Sequence, residues 1–282
     1  MQPARDAAAN QELRRRVDGL KWYHTIDLGD GIVTPGWFDT RSVAPRVPLA
    51  PNLDGKRCLD VGTWDGFWAF EMERRGAAEV IAIDIEDQRR WDWPPHTRVG
   101  GATPPGLVIL DEFKSGDDAF KVAHDALGSR VDRRDLSIYE LSPDDIGTFD
   151  VVFLGSLLLH LRDPVGALAA LRTVCGGEAV IADTVDAIPS FVRPRTPTAR
   201  LEGYDRPWWW IPNRAGLHRM IESAGFRIVQ ATPVYIMPLG NAHPRTPTWR
   251  QWRKVFSPMG REELIVNAKG IPHAAVRAKP IG

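Results

Sequence analysis

A short apolar run stopped by glycine, then a helix, then a second apolar run ending in an acid constrains this chain more than any other feature. The first run is Cys58-Leu59-Asp60-Val61, and Gly62 stops it. Residues 66–75 read as a helix, with Phe67, Ala69, Phe70 and Met72 toward one side and Gly76 as its C-cap. Val80-Ile81-Ala82-Ile83 is the second run, and Asp84 closes it. Continuous apolar strands joined by a helix need cover on both faces, which a parallel sheet between helical layers supplies. The segment 56–84 therefore predicts an α/β fold with a doubly wound, Rossmann-like sheet.

The alternation continues along the chain. Residues 117–127 read as a helix, 131–137 as a third strand and 149–154 as a fourth. A helix over 164–174 with Pro at its first turn precedes a fifth strand over 179–183. Asn213 caps a helix to 224, Gly225 ends it, 226–235 is a strand, and 274–278 is a last strand. Residues 1–20 form a polar helix with Leu13, Val17 and Leu20 on one face, followed by an aromatic, Gly- and Pro-rich stretch to 51. The expected organisation is an N-terminal helix and aromatic lid over 1–52, then a core over 53–282 with insertions at 86–116, 188–212 and 237–260.

Charge and cysteine content narrow the function. Lys plus Arg and Asp plus Glu both number 36, so the net charge is zero. A protein that lives on phosphate backbones ordinarily carries a basic excess, which disfavours a tRNA partner here. The two cysteines, Cys58 and Cys175, are far apart in apolar surroundings and give neither a disulfide framework nor a zinc site. None of the seven His pairs with another at i, i+4, so no metal site is expected. No apolar run reaches the length of a membrane span, and the polar N-terminus lacks a signal core, so the expected location is cytoplasmic.

The loop after the first strand carries the chemistry. Gly62-Thr63-Trp64-Asp65-Gly66 lets a ligand approach the backbone where the sheet's carboxyl edge meets a helix. Asp84, ending the next strand, is placed to accept hydrogen bonds from a ribose diol. A nicotinamide dinucleotide is the competing ligand, but its G-x-G-x-x-G spacing is absent, Trp64 stands at the middle position, and Asp60 would repel a pyrophosphate. Asp60 suits a cationic ligand, such as the amino group and sulfonium of S-adenosyl-L-methionine.

With these residues the chain resembles the class I S-adenosylmethionine-dependent methyltransferases. More narrowly, it resembles the branch whose enzyme finishes the wobble-uridine side chain of tRNA. The resemblance runs over 22–235 and includes Trp37-Phe38-Asp39, residues 59–66, Ala82-Ile83-Asp84, residues 149–153, His160 to Pro164, and Trp210-Ile211-Pro212-Asn213. It implies that Asp60, Gly62 and Gly66 hold the methionine part of the donor, with Thr63 of the same loop and Trp37 also among the donor contacts. It implies Asp84 on the ribose, Ile85 against the adenine, Leu136 or Ser137 near the adenine amino group, and Gly155 and Leu158 on the methionine side. Three departures stand out. Trp64 replaces a middle Gly, and its side chain is expected to point away from the donor. The tRNA enzyme grips a carboxylated donor through a Lys, a Tyr and an Arg, and those places fall here at about Tyr23, at Leu159 and at Arg245. A carboxylate facing Leu159 loses a hydrogen-bond donor in a dry site, at a cost of roughly 1–3 kcal/mol. Plain methyl transfer is therefore expected.

Candidate bases are His24, His160 and Asp183. His160 follows the fourth strand and alternatively bonds its own loop; Asp183 ends the fifth strand and alternatively caps the next turn. His24 lies in the aromatic segment expected, with Trp208-Trp209-Trp210, to close over the acceptor pocket. The insertion 86–116 is the competing cover, nearer the adenosine end. Trp249, Arg250, Trp252 and Arg253 could stack RNA bases or dock as a surface helix. The expected function is methyl transfer to an oxygen or nitrogen of a small molecule. The alternatives are a tRNA-modifying alkyltransferase and a non-catalytic binding protein.

Overall fold

The computed structural model describes residues 5–95, 118–203, 208–243 and 269–282. In chain order the strands are β1 (Arg57–Val61), β2 (Glu79–Asp84), β3 (Asp132–Asp135), β4 (Phe149–Gly155), β5 (Cys175–Thr184), β6 (Ala199–Leu201), β7 (Trp210–Pro212), β8 (Phe226–Ala231), β9 (Tyr235–Met237) and β10 (Ile271–Pro280). The helices are α1 (Ala7–Asp18), α2 (Phe67–Arg74), α3 (Asp118–Leu127), α4 (Pro143–Ile146), α5 (Pro164–Val174), α6 (Ala187–Val192) and α7 (Arg214–Ser223).

The main sheet runs β3-β2-β1-β4-β5-β10-β8, with β9 also beside β10. β1 to β5 are parallel, and β10 lies antiparallel to β5, β8 and β9. Side-chain alternation divides the core into two layers. Cys58, Val80, Val151 and Phe153 pack with α1, α2 and α3 on one face. Leu59, Ile81, Val152 and Leu154 pack with α5 and α7 on the other. The connection from β1 goes to β2 on one side, while β4 lies on the other, so the chain changes direction between β1 and β4. That crevice at the strands' carboxyl ends is where open α/β sheets bind ligands. Among the described residues no helix is long and apolar enough to cross a membrane.

Some boundaries differ from the sequence reading. The third strand stops at Asp135 because Ser137 starts a turn, its hydroxyl capping Tyr139 while Glu140 bonds back to its amide. The strand expected over 226–235 divides into β8 and β9 at Pro233, which cannot donate to a ladder. The 188–212 insertion holds most of α6 and the β6–β7 ribbon. The division at residue 52 does not separate two cores: Trp22, Ile26, Leu28 and Ile32 bury in the same cluster as α2 and α3.

The aromatic N-terminal stretch is fastened rather than loose. Thr25 N donates to Phe38 O, Phe38 N to Tyr23 O, and Trp37 N to Trp22 O, each at 2.9 Å. Asp39 N donates to Pro238 O and Gly240 N to Trp37 O, which ties the stretch to the chain beyond β9. Trp22 is fully buried, and its indole donates to Val17 O at 2.9 Å.

Candidate active site

Loop geometry follows from one acid, Asp84, and two glycines. Gly62 has φ +75°, and its amide and that of Thr63 donate to Ile83 O at 2.9 and 3.1 Å. Trp64 also has a left-handed φ of +52°, held by its amide donating to Asp84 Oδ2 at 2.7 Å. Ile85 N donates to Asp84 Oδ1 at 2.8 Å. The Asp84 carboxylate thus locks the loop while bordering the cleft, and its oxygens have acceptor capacity for more than one donor each. Gly66 does not line the cleft. Its φ of +93° starts α2, and a Cβ there would lie 2.4 Å from the Phe70 ring, so packing requires the glycine.

The cleft opens beside β1 and β4. Asp60, Gly62, Thr63, Asp84 and Ile85 line it from the first βαβ unit. Leu136, Ser137 and Gly155 line it from the ends of β3 and β4. Asp60 is 2% exposed, and its Oδ2 has no hydrogen-bond partner among the described residues. Desolvation pushes its carboxyl up to about 7, with Asp84 acting in the same direction. A buried carboxylate oxygen without a partner is costly unless a ligand cation meets it. This orphaned atom, one strand from the ribose-binding candidate, fits the ammonium and diol of S-adenosylmethionine.

Besides Gly66, three expected site residues lie elsewhere. Leu158 is buried under the cleft in the α5 and α7 layer. Trp37 turns from the cleft, with its ring 4.4 Å from that of His243. Asp183 is 1% exposed and outside the cleft; it accepts from the amides of Leu157 at 2.9 Å, Leu158 at 2.8 Å and Thr184 at 2.7 Å. These bonds hold the loop after β4, and burial pushes the Asp183 carboxyl up to about 7. Arg245, Trp249, Arg250, Trp252 and Arg253 lie outside the described residues.

The walls are aromatic. Trp64 borders the cleft instead of pointing away, with its ring 4.9 Å from Tyr23 and 6.0 Å from Trp91. Trp93 continues the row 5.0 Å from Trp91. Trp91 Nε1 donates to Ile85 O at 3.0 Å, so the start of the 86–116 insertion covers the end of the cleft beside Ile85. Trp208, Trp209 and Trp210 do not line the cleft, although the Trp209 indole braces this cover by donating to Asp92 O. Trp209 N donates to Leu159 O at 2.7 Å, and Trp210 Nε1 donates to Arg162 O at 3.0 Å. These bonds join Trp209 and Trp210 to the loop after β4.

His24 and His160 both line the cleft. His160 sits in the tight turn Leu158–His160. His24 is 8% exposed, on the fastened N-terminal wall, and its Nδ1 lies 2.5 Å from Asp65 Oδ1. Thr40, Phe38 and Met237 line the cleft nearby, and Thr40 Oγ1 is buried without a partner among the described residues.

Sequence reasoning missed Asp65, Ser156 and His273. Ser156 has φ +51°, and its hydroxyl lies 3.0 Å from His273 Nε2. His273 Nδ1 lies 3.0 Å from Ile271 O, which makes Nδ1 the protonated nitrogen and Nε2 the acceptor. Burial lowers this imidazole to about 4, so it is neutral at physiological pH. Nothing local in β10 marks His273; only the sheet order, which sets β10 next to β5, brings it to Ser156 at the end of β4. Asp65 was legible as an acid inside the glycine loop.

A sequence profile described as a methyltransferase domain matches residues 38–231. The chain is similar to a protein named tRNA U34 carboxymethyltransferase from Pseudomonas paraeruginosa, 25% identical over 290 positions, covering 97% of this chain and 76% of that protein. It is also similar to one of the same name from Methylococcus capsulatus, 27% identical over 226 positions, covering 79% and 60%. Among solved structures it is similar to the N-terminal domain of EvdMO1 with S-adenosylhomocysteine bound, at 14% identity and a TM-score of 0.49, covering 96% and 97%. The profile spans more than half of the chain, which therefore belongs to the methyltransferase-domain family and is a class I S-adenosylmethionine-dependent methyltransferase.

Proposed function

We propose that the enzyme moves a methyl group from unmodified S-adenosylmethionine to an oxygen or nitrogen of a small molecule. The observation that carries this reading is the charge of the cleft. Among the described lining residues Arg90 is the one Lys or Arg, and it is already bound to Asp135 at 2.8 Å and Glu140 at 3.2 Å. Asp60 and Asp84 border the same space. A carboxylated donor would bring a further negative charge among these acids, while a plain donor brings net positive charge to them.

When bound, the donor's sulfonium supplies an electrophilic methyl group. Asp60 holds the ammonium, Asp84 the ribose diol, and Ile85 with Trp91 the adenine end. Phe38, Thr40 and Met237 form the acceptor side, where an apolar surface bearing the Thr40 hydroxyl suits a neutral molecule. His24 takes the proton that the acceptor loses.

Carboxymethyl transfer to tRNA is the second reading, supported by the names of the relatives similar over 97% of the chain. Competition calorimetry separates the two. S-adenosylmethionine is expected to bind more tightly than its carboxylated analogue. Tighter binding of the analogue would revive the tRNA reading and direct attention to Arg245.

A further inference from the structure

We infer that Asp65 is the positioning residue for His24, fixing the imidazole with its proton on Nδ1 and its lone pair on Nε2. This rests on the methyl-transfer reading above and adds to it the group that prepares the base. Asp65 is fully buried and does not line the cleft, whereas His24 does. The ring nitrogen distal to Asp65 is Nε2, so it is the one left for the cleft.

Every acceptor site of Asp65 that the structure uses serves the same segment. Oδ2 accepts from the amides of Tyr23 and His24, each at 2.8 Å, and Oδ1 faces His24 Nδ1 at 2.5 Å. A carboxylate only accepts, so Nδ1 must donate. The imidazole is held on other sides too. Its ring stacks on Phe67 with centroids 5.4 Å apart, and Tyr23 meets it edge-on at 4.8 Å. Asp65 belongs to the loop that holds the donor, so the base and the donor site share one rigid piece of backbone. As the acceptor atom bonds to the methyl carbon, the carbon–sulfur bond breaks with its electron pair to sulfur. The acceptor's proton passes to Nε2, and the imidazolium formed lies against the Asp65 carboxylate.

Asp65→Asn is the discriminating variant. Its amide oxygen can keep the two backbone bonds at the Oδ2 place. Its NH₂ then occupies the Oδ1 place and can only donate, so His24 must move its proton to Nε2 and lose the lone pair there. Imidazole nitrogen NMR on the full chain, at a pH above the ordinary imidazole range, reads the tautomer directly. Wild type is expected to show Nδ1–H at His24 and Asp65→Asn to show Nε2–H. Transfer of labelled methyl into a small-molecule extract is expected to fall by about a hundredfold or more, with S-adenosylhomocysteine affinity within about threefold by calorimetry. An Nε2–H tautomer in wild type overturns the assignment even if the variant fails to fold. Undiminished transfer by a folded Asp65→Asn also overturns it. If wild type transfers nothing while its tautomer is Nδ1–H, the functional reading fails and the base role fails with it.

Discussion

Asp60 joins burial to an open hydrogen-bonding position, and its titration gives a measurable consequence. Its carboxyl, like that of Asp183, is raised from 3.8 to about 7 in the folded chain. Between these values the folded state holds protons that the unfolded state has released, so both groups make stability fall as pH rises through this window. The donor's ammonium selects the ionised form of Asp60. Donor affinity is therefore expected to rise by up to about tenfold per pH unit toward 7 and to level off until the ammonium itself titrates near 8. Calorimetry across pH checks this, and in Asp60→Asn the dependence should disappear along with most of the affinity. The same variant is expected to make the donor-free protein more resistant to heat above pH 7. Asp84→Ala is expected to weaken S-adenosylhomocysteine about ten- to hundredfold, because a charged acceptor bond is worth about 1.5–3 kcal/mol. Asp60, Gly62 and Asp84 were legible in the sequence because one continuous strand–loop–helix–strand unit places them. Thr40 and His273 were not, since each reaches the cleft from a different distant segment.

At the scale of elements, the N-terminal stretch forms a backbone-bonded wall of the cleft where the sequence suggested a lid. Its glycines and prolines read as freedom, yet Gly36 and Gly240 allow close backbone contact. A Cβ on Gly36 would lie 2.2 Å from His24 C and Thr25 N, and one on Gly240 would lie 2.0 Å from Gly36 O. Neither contact is relieved by turning a side chain. Gly36→Ala is expected to destabilise the fold by about 1–3 kcal/mol in chemical denaturation, as overpacking does. Hydrogen exchange on the donor-free enzyme is expected to show protected amides at Thr25, Trp37 and Phe38. Rapid exchange there, slowed only by S-adenosylhomocysteine, would restore the lid. The parallel strands and α5 were legible from apolar runs and capping residues. The Trp208–Trp210 position was not, because a run of aromatics states only that something must cover them, whereas the backbone bond from Trp209 to Leu159 decides where they go.

For the whole molecule, strand order accounts for the cleft and family membership for the donor. The change of direction between β1 and β4 opens the crevice, and the antiparallel β10 brings His273 to its far side. Composition contributed the absence of net charge, which bears on the acceptor and not on the fold. The most direct test supplies purified enzyme and methyl-labelled S-adenosylmethionine to a cell extract separated into RNA and small-molecule fractions. Label is expected in the small molecules, with RNA at background and little change between low and high salt. Label in tRNA that falls steeply with salt, or transfer that requires a carboxylated donor, would contradict the proposed function.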